Sequence, residues 1–597
     1  MRVLSSVVTR QAESAYDEPM KRAFVPAILG VLVAACGSTL EAPTGSGGAA
    51  TGTGGAGVGG AGSSGGSAAP VGPISGLVKH YDYAFDLATR HAKSQLTIDV
   101  APPGGDCFQA SSELGTVTGA TWNGAPAKSA AVTNKKLDTC GEGVPGAKPL
   151  VIGAEVDVPL KKYLNLDVGF SRKKNKAGGD FTYLLSWVGG CDRFGPCDDD
   201  PSRLASFHFD VTHPAGTVVL CPGALTPGDT VTSCDLSGTL APTYSAFSFA
   251  ADPLWKRAPF TSAAGIDVVL FEVPGGTIGQ ALDKGSVDSF LTWITGLLGP
   301  FPYGKELRVA GGPTAWLGFE HPASILLQED LPDLAQAYTD ATMHVFMHEV
   351  VHQWAGDRST LATSSDFAWK EATAEYLSYV FEDEQRPAGE AAASLEYWAG
   401  ISLQSTYFPR PTDDPPPAVQ DFYGDVYGPG PMVFYVQLES LLGRKVVLGG
   451  IKTFLAQPGA LSVADLEKAL EASSGLDLKP YFDVWVFGKG KPEWPTLAIT
   501  TAQAGDAVTV TVTQENASKK LYGCKVEVEV LGATTSATAM VDFGIAPKSA
   551  TATATATVTL AEPVVSTKLE PRNRLIARPS TSGAPAKPEP LRPVWPL

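Results

Sequence analysis

The stretch ATMHVFMHEVVHQW, residues 341–354, contains no Gly or Pro to interrupt a helix and carries His348-Glu349-Val350-Val351-His352. On a helix, residues four apart project from one face about a turn apart, so both imidazoles can hold one ion. Glu349 then points at the ion's open position, the arrangement of a metal-assisted hydrolase. The pattern stands out because the chain has only 8 His in 597 residues, and half of them lie between His321 and His352. A catalytic zinc needs a third protein ligand and leaves its fourth position to water. Imidazole and carboxylate donors suit that ion, and an exported protein is a poor place for a redox-labile one.

Downstream, FAWKEATAEYLSYVF (residues 367–381) reads as an amphipathic helix carrying Glu371 and Glu375, and eighteen residues separate Glu371 from His352. This is the spacing of the gluzincins. The chain resembles in particular the zinc aminopeptidases typified by membrane alanyl aminopeptidase and leukotriene hydrolase. Their ligands are the two histidines of HExxH and a glutamate in a W-x-x-E-G-x-A-x-Y context. Here Glu371, Ala374 and Tyr376 match, the Trp is shifted to position 369, and Ala372 replaces the Gly. Leu317-Gly318-Phe319-Glu320-His321-Pro322 resembles the family's G-x-M-E-N edge strand, so Glu320 is the implied anchor for a substrate amine. Tyr427-Gly428-Pro429-Gly430 resembles Y-x-K-G, which implies Tyr427 as donor to the developing oxyanion, with Tyr423 as runner-up. Phe194 to Pro201 with Ser206-Phe207-His208-Phe209 resembles the F-P-C-x-D-x-P…F signature of the family's N-terminal domain, and Tyr481–Pro492 the end of its catalytic domain.

The resemblance covers about Tyr81 to Pro492. It implies zinc at His348, His352 and Glu371, with Glu349 as the base that activates water. The implied activity is hydrolysis of peptide bonds with release of N-terminal amino acids. The alternatives are a zinc endopeptidase or other hydrolase on the same scaffold, or a catalytically silent surface-binding protein. One departure concerns the second amine anchor, a Gln or Glu shortly before F-P-C in the family; the nearest candidate here is Ser186-Trp187. His344, one turn before His348, reads as a helix-face histidine, because the family takes its third ligand from the next helix. Glu375 divides evenly between support for the site and a solvated carboxylate. His321 reads as a pocket-shaping residue, and His80, His91, His208 and His213 as surface or strand residues.

The surrounding chain reads as multidomain α+β. Residues 1–36 form a signal region with Met20 as an alternative start; the apolar run Ala23–Val33 is too short to span a bilayer. The following Val33-Ala34-Ala35-Cys36-Gly37 resembles a bacterial lipobox, which implies export, cleavage before Cys36 and membrane attachment through its lipidated side chain. Residues 37–74 are a Gly/Ser/Ala-rich tether. Residues 75–255 alternate short apolar runs with turns and read as an antiparallel β domain. Residues 256–494 form the thermolysin-like α/β-plus-helical catalytic domain, residues 495–571 a C-terminal β-sandwich-like domain, and residues 572–597 a tail. Gly (64) and Pro (46) favour turns and linkers and exclude a coiled coil, while 44% hydrophobic and 18% charged residues give a globular bulk. A net charge of −17 without a basic stripe excludes nucleic acid as a partner and leaves peptides as the expected substrates; oligomeric state is left open. In the oxidising compartment implied by export, Cys107, Cys140, Cys191, Cys197, Cys221 and Cys234 admit fifteen connectivities. Pairing neighbours in sequence is one guess among them, and Cys524 stands apart.

Overall fold

In the strand Gly76–Asp86, alternation buries Tyr81, Tyr83 and Phe85 and leaves His80 and Asp82 half-exposed, the period-two pattern of a sheet with one wet face. The computed structural model describes residues 70–163, 168–333, 340–386, 390–419, 430–547 and 552–580. The signal region, Cys36 and the tether up to residue 69, like the tail beyond residue 580, lie outside the described residues. Among the described residues no helix is long and apolar enough to cross a membrane.

Gly76–Asp86 sits inside an eight-stranded sheet flanked by His91–Val100 and Leu204–Thr212. A five-stranded sheet built on Val168–Lys174, Asp180–Leu185 and Ser248–Asp252 packs against it. Phe85 bridges the two sheets, 5.2 Å from Phe170 and 4.9 Å from Phe249 between ring centroids. Most pairs are antiparallel, as expected, but Gly76–Asp86 pairs parallel with Leu204–Thr212. The chain leaves the first sheet after Asp157 and builds most of the second before returning, and such a long crossover permits a parallel pair. Cys107–Cys140, Cys191–Cys197 and Cys221–Cys234 are the disulfides, the neighbour-to-neighbour pairing. Cys107 and Cys140 face each other on paired strands.

The next sheet runs in the order Lys256–Ala263, Ile266–Glu272, Glu306–Gly312, Ser324–Gln328, Gly318–His321. Its three middle strands are parallel, and Gly318–His321 is an antiparallel edge. Helix Lys284–Leu298 makes the crossover; Asp283 caps it by accepting from the Ser286 amide at 2.7 Å, and Val287, Phe290, Leu291 and Ile294 bury its inner stripe. Helix Ala341–His352 is capped by Asp340 and lies against the edge strand. Helix Phe367–Gln385, expected to be amphipathic, is buried on every face from Phe367 to Glu382. It is enclosed by other elements: Tyr376 stacks on Tyr435 at 5.0 Å, Phe381 meets Phe290 at 5.1 Å, and Trp398 of helix Glu390–Ser402 donates to Glu375.

The C-terminal β region consists of two small sheets, and their strands Ala507–Gln514 and Lys525–Leu531 bury Val508, Val510 and Val512, and Val526, Val528 and Val530. It takes in Arg578–Pro579, paired with Thr496–Leu497, and so continues past residue 571 where the sequence reading ended it. It docks on the helical region: Trp485 Nε1 donates to the Gly523 carbonyl at 2.9 Å, the Ile576 amide to Gln437 Oε1 at 2.9 Å, and Arg574 to Glu439 at 2.8 Å. The N-terminal β domain is tied in as firmly. Buried Arg308 donates to the carbonyls of Cys221 and Gly223 at 3.1 and 2.6 Å, and the Tyr244 hydroxyl donates to the Gly356 carbonyl at 2.7 Å.

Candidate metal centre

His348 and His352 lie four residues apart on one helix, and the following helix lays Glu371 across them. His348 Nε2 is 3.0 Å from His352 Nε2 and 3.2 Å from Glu371 Oε2, which is 3.5 Å from His352 Nε2. Zinc bonds of about 2.0–2.1 Å at tetrahedral angles separate ligand atoms by about 3.3 Å. The three donors therefore outline one face of a zinc tetrahedron.

The histidine tautomers agree with that geometry. His352 Nδ1 donates to the Ala355 carbonyl at 2.9 Å and His348 Nδ1 to Glu375 Oε2 at 3.1 Å, so each Nε2 is left with its lone pair free to serve as a metal donor. Glu375 is thus a buried support for the site and not a solvated carboxylate. Its Oε1 accepts from Trp398 Nε1 at 2.6 Å and Ser394 Oγ at 2.9 Å. His344 is not a ligand: it lies between Glu375, at 3.1 Å from Nε2, and Glu382, at 2.7 Å from Nδ1. Burial opposes its protonation, but the two carboxylates outweigh it and hold His344 well above the ordinary imidazole range. A hydrogen-bonded chain Glu382–His344–Glu375–His348 therefore runs to the candidate ligand cluster.

An oxygen of Glu349, an oxygen of Glu320 and a ring nitrogen of His352 lie within 4.8 Å of one another, so both carboxylates adjoin the candidate ligand cluster. Burial pushes the Glu349 carboxyl up to about 8, with His348 opposing and Glu320 and Glu371 adding to the shift. Gly318 permits the approach, since a Cβ there would lie 2.4 Å from Glu349 Oε1 and 2.7 Å from Val345 Cγ1. Burial alone would raise Glu371, but the Lys370 ammonium, His352 and the His348 hydrogen bond hold it well below the usual carboxylate range. His321 is buried on the same strand, Nδ1 at 2.9 Å from the Ser245 carbonyl, and burial lowers it to about 4, a neutral wall residue.

The structure thus brings together His348, His352, Glu371, Glu349 and Glu320. Tyr427, with its runner-up Tyr423, lies outside the described residues. Sequence reading missed Lys370, whose Nζ is 2.8 Å from Glu320 Oε1 and 2.7 Å from Glu371 Oε1. The available signal was a lone cation beside a ligand in an otherwise poorly basic helix. At the former second-anchor position, Trp187 packs edge-on to Phe367 at 5.6 Å and supplies no charge.

Residues 318–485 match the family model described as "Peptidase family M1 domain". A probable aminopeptidase 1 of Sulfurisphaera tokodaii is 24% identical over 208 residues, 33% of this chain and 25% of that protein. Aminopeptidase N of Lactobacillus delbrueckii subsp. lactis is 28% identical over 212 residues, 32% of this chain and 25% of that protein. The chain thus spans about a quarter of the length of these curated relatives. The crystal structure of Legionella pneumophila aminopeptidase A in complex with aspartic acid superposes with a TM-score of 0.67 at 17% identity, covering 85% of this chain and 60% of that one, a likeness of fold.

Proposed function

Because residues 318–485 match the peptidase family M1 model, we propose that this chain is a zinc-dependent peptidase that removes residues from the N-termini of peptides. The observation that supports this most is the convergence of two imidazole nitrogens and one carboxylate oxygen at zinc-ligand separations, with Glu349 and Glu320 beside them. His348, His352 and Glu371 would hold zinc, which when bound would serve as a Lewis acid that polarises a carbonyl and acidifies water. Glu349, the one carboxylate of the HExxH helix, takes the proton of the attacking water and returns it to the leaving amine. Glu320 accepts a hydrogen bond from the substrate's free α-amine and so fixes which bond reaches the metal. Tyr427 donates to the developing oxyanion. The same reading takes the chain as exported and attached to the envelope through a lipidated Cys36, with peptides as substrates.

The test combines metal analysis with substrate panels. Purified protein should hold about one zinc per chain, lose activity to a chelator and recover it with zinc. It should release amino acids from unblocked peptides faster than from N-acetylated ones. Glu349→Gln should retain zinc and lose about 10²–10⁴-fold in kcat. Unchanged turnover in that variant would sink the mechanism, and release from acetylated peptides at equal or greater rate would sink the aminopeptidase reading.

A further inference from the structure

Lys370 is 3% exposed and sits one residue before the ligand Glu371. Its ammonium lies between two carboxylates, 2.8 Å from Glu320 Oε1 and 2.7 Å from Glu371 Oε1. The position is built. Gly356, at φ +141°, faces the Lys370 stem, and a Cβ there would come within 2.7 Å of its Cε. The Phe367 ring, one turn earlier, lies 5.5 Å from Nζ. A buried ammonium needs paired charge, and Glu320 supplies half of it.

This arrangement has a consequence for the substrate. A free N-terminus is also an ammonium, and it would bring a second positive charge to a carboxylate that already holds one. Like charges a few ångströms apart in a buried site repel strongly, so the amine gains less from the pair than from a bare carboxylate.

We propose that Lys370 is a built-in competitor for the substrate ammonium and thereby sets how strongly the site favours unblocked over blocked peptides. The proposal rests on Glu320 being the amine anchor. An N-terminus that binds through Glu320 joins a carboxylate whose Oε1 Lys370 already holds, and the repulsion drives the Lys370 ammonium toward Glu371 or out of the pair. The free-amine preference of the native enzyme is accordingly held down.

The experiment measures binding in the zinc-loaded Glu349→Gln protein, where turnover does not interfere. Dissociation constants of trialanine and N-acetyl-trialanine are obtained by calorimetry, and their ratio is the readout. Zinc content is checked in each variant, because Lys370 also touches a ligand. Added Lys370→Met should raise the preference for the free amine at least tenfold, and Lys370→Arg should leave it within threefold. An unchanged or lowered ratio with Lys370→Met overturns the competition. Glu320→Gln separates the two readings. If it abolishes the free-amine preference while Lys370→Met leaves that preference unaltered, the anchor stands and the competitor fails. If it changes nothing, the anchor fails and the competitor with it. Should Lys370→Met not fold, a crystal structure of the Glu349→Gln protein with trialanine decides: Nζ withdrawn from Glu320 Oε1 supports the proposal, and Nζ still in place beside a bound ligand amine overturns it.

Discussion

Glu375 stands behind the His348 ring on its Nδ1 side, and its replacement should be felt in zinc binding. Its Oε2 accepts the Nδ1 proton of His348 at 3.1 Å, while Oε1 is engaged by Trp398 and Ser394. Glu375→Gln preserves the volume and the ability to accept from Trp398, but removes the negative charge that makes the His348 ring more basic. Loss of such a carboxylate behind a ligand imidazole costs about 10–100-fold in metal affinity. At about 1.4 kcal/mol per tenfold, that is about 1.4–2.8 kcal/mol of zinc binding. Glu382→Gln is the matched control: Glu382 pairs with His344 at 2.7 Å and reaches His348 only through His344 and Glu375. It perturbs the same buried charge chain, but should change zinc affinity by less than about threefold, since outer positions act only through the group that orients the ligand. The assay is competition for zinc against a chromophoric chelator, with the melting temperature of the metal-free proteins recorded separately. Equal zinc affinity in wild type and Glu375→Gln, or an equal loss in both variants, would refute the reasoning.

Three further outcomes follow from the packing and charge. Gly318→Ala places a Cβ 2.4 Å from Glu349 Oε1, and the displacement of base or strand should lower kcat about 10–100-fold with zinc content unchanged. Retained turnover would show that the strand can yield. Burial pushes the Glu570 carboxyl from its ordinary 4.5 up to about 8, partly offset by the Glu527 amide and reinforced by the Glu527 charge. The folded protein therefore keeps a proton that the unfolded chain releases, and stability falls as pH rises from about 4.5 to about 8. Glu570→Gln removes that loss, so urea unfolding should show a gain at pH 8.5, at most about 5 kcal/mol at about 1.4 kcal/mol per pK unit, and little gain at pH 5. Replacing Cys221 and Cys234 with serine opens a loop with a sequence separation of 13, and should lower stability by about 3 kcal/mol in chemical denaturation if chain entropy dominates.

The meeting of His348, His352 and Glu371 was legible in the sequence because its geometry is mostly local. Four residues along a helix suffice to juxtapose His348 and His352, and the spacing to Glu371 carries the resemblance that supplied the third ligand. Lys370 was not legible as a partner of Glu320, because that contact depends on how the edge strand Gly318–His321 lies against a helix fifty residues later. The support given by Glu375 depends likewise on the pairing of two helices and on Trp398 from a third. The burial of helix Phe367–Gln385 escaped the reading for a related reason. Polar positions on it look solvated when counted along the chain, and become internal only when their hydrogen-bond partners arrive from neighbouring helices. Sequence-neighbour disulfides matched the fold, as with Cys107 and Cys140, which sheet pairing sets opposite each other although other strands intervene along the chain.

Arg308 gives the boundary of the family match a practical meaning. The recognisable segment begins at residue 318, on the outermost strand of its sheet, whereas Arg308 stands on the strand two places inward and reaches into the Cys221–Cys234 hairpin. Inheritance and foldability are therefore drawn along different lines. A fragment trimmed to residues 318–485 would keep His348, His352 and Glu371 but shed the strands Ile266–Glu272 and Glu306–Gly312, the hydroxyl of Tyr244 on Gly356 and the backbone seat of His321. Such a fragment would carry the catalytic residues without the scaffold that orders them, and grafting this centre into another protein would require the upstream wall to travel with it.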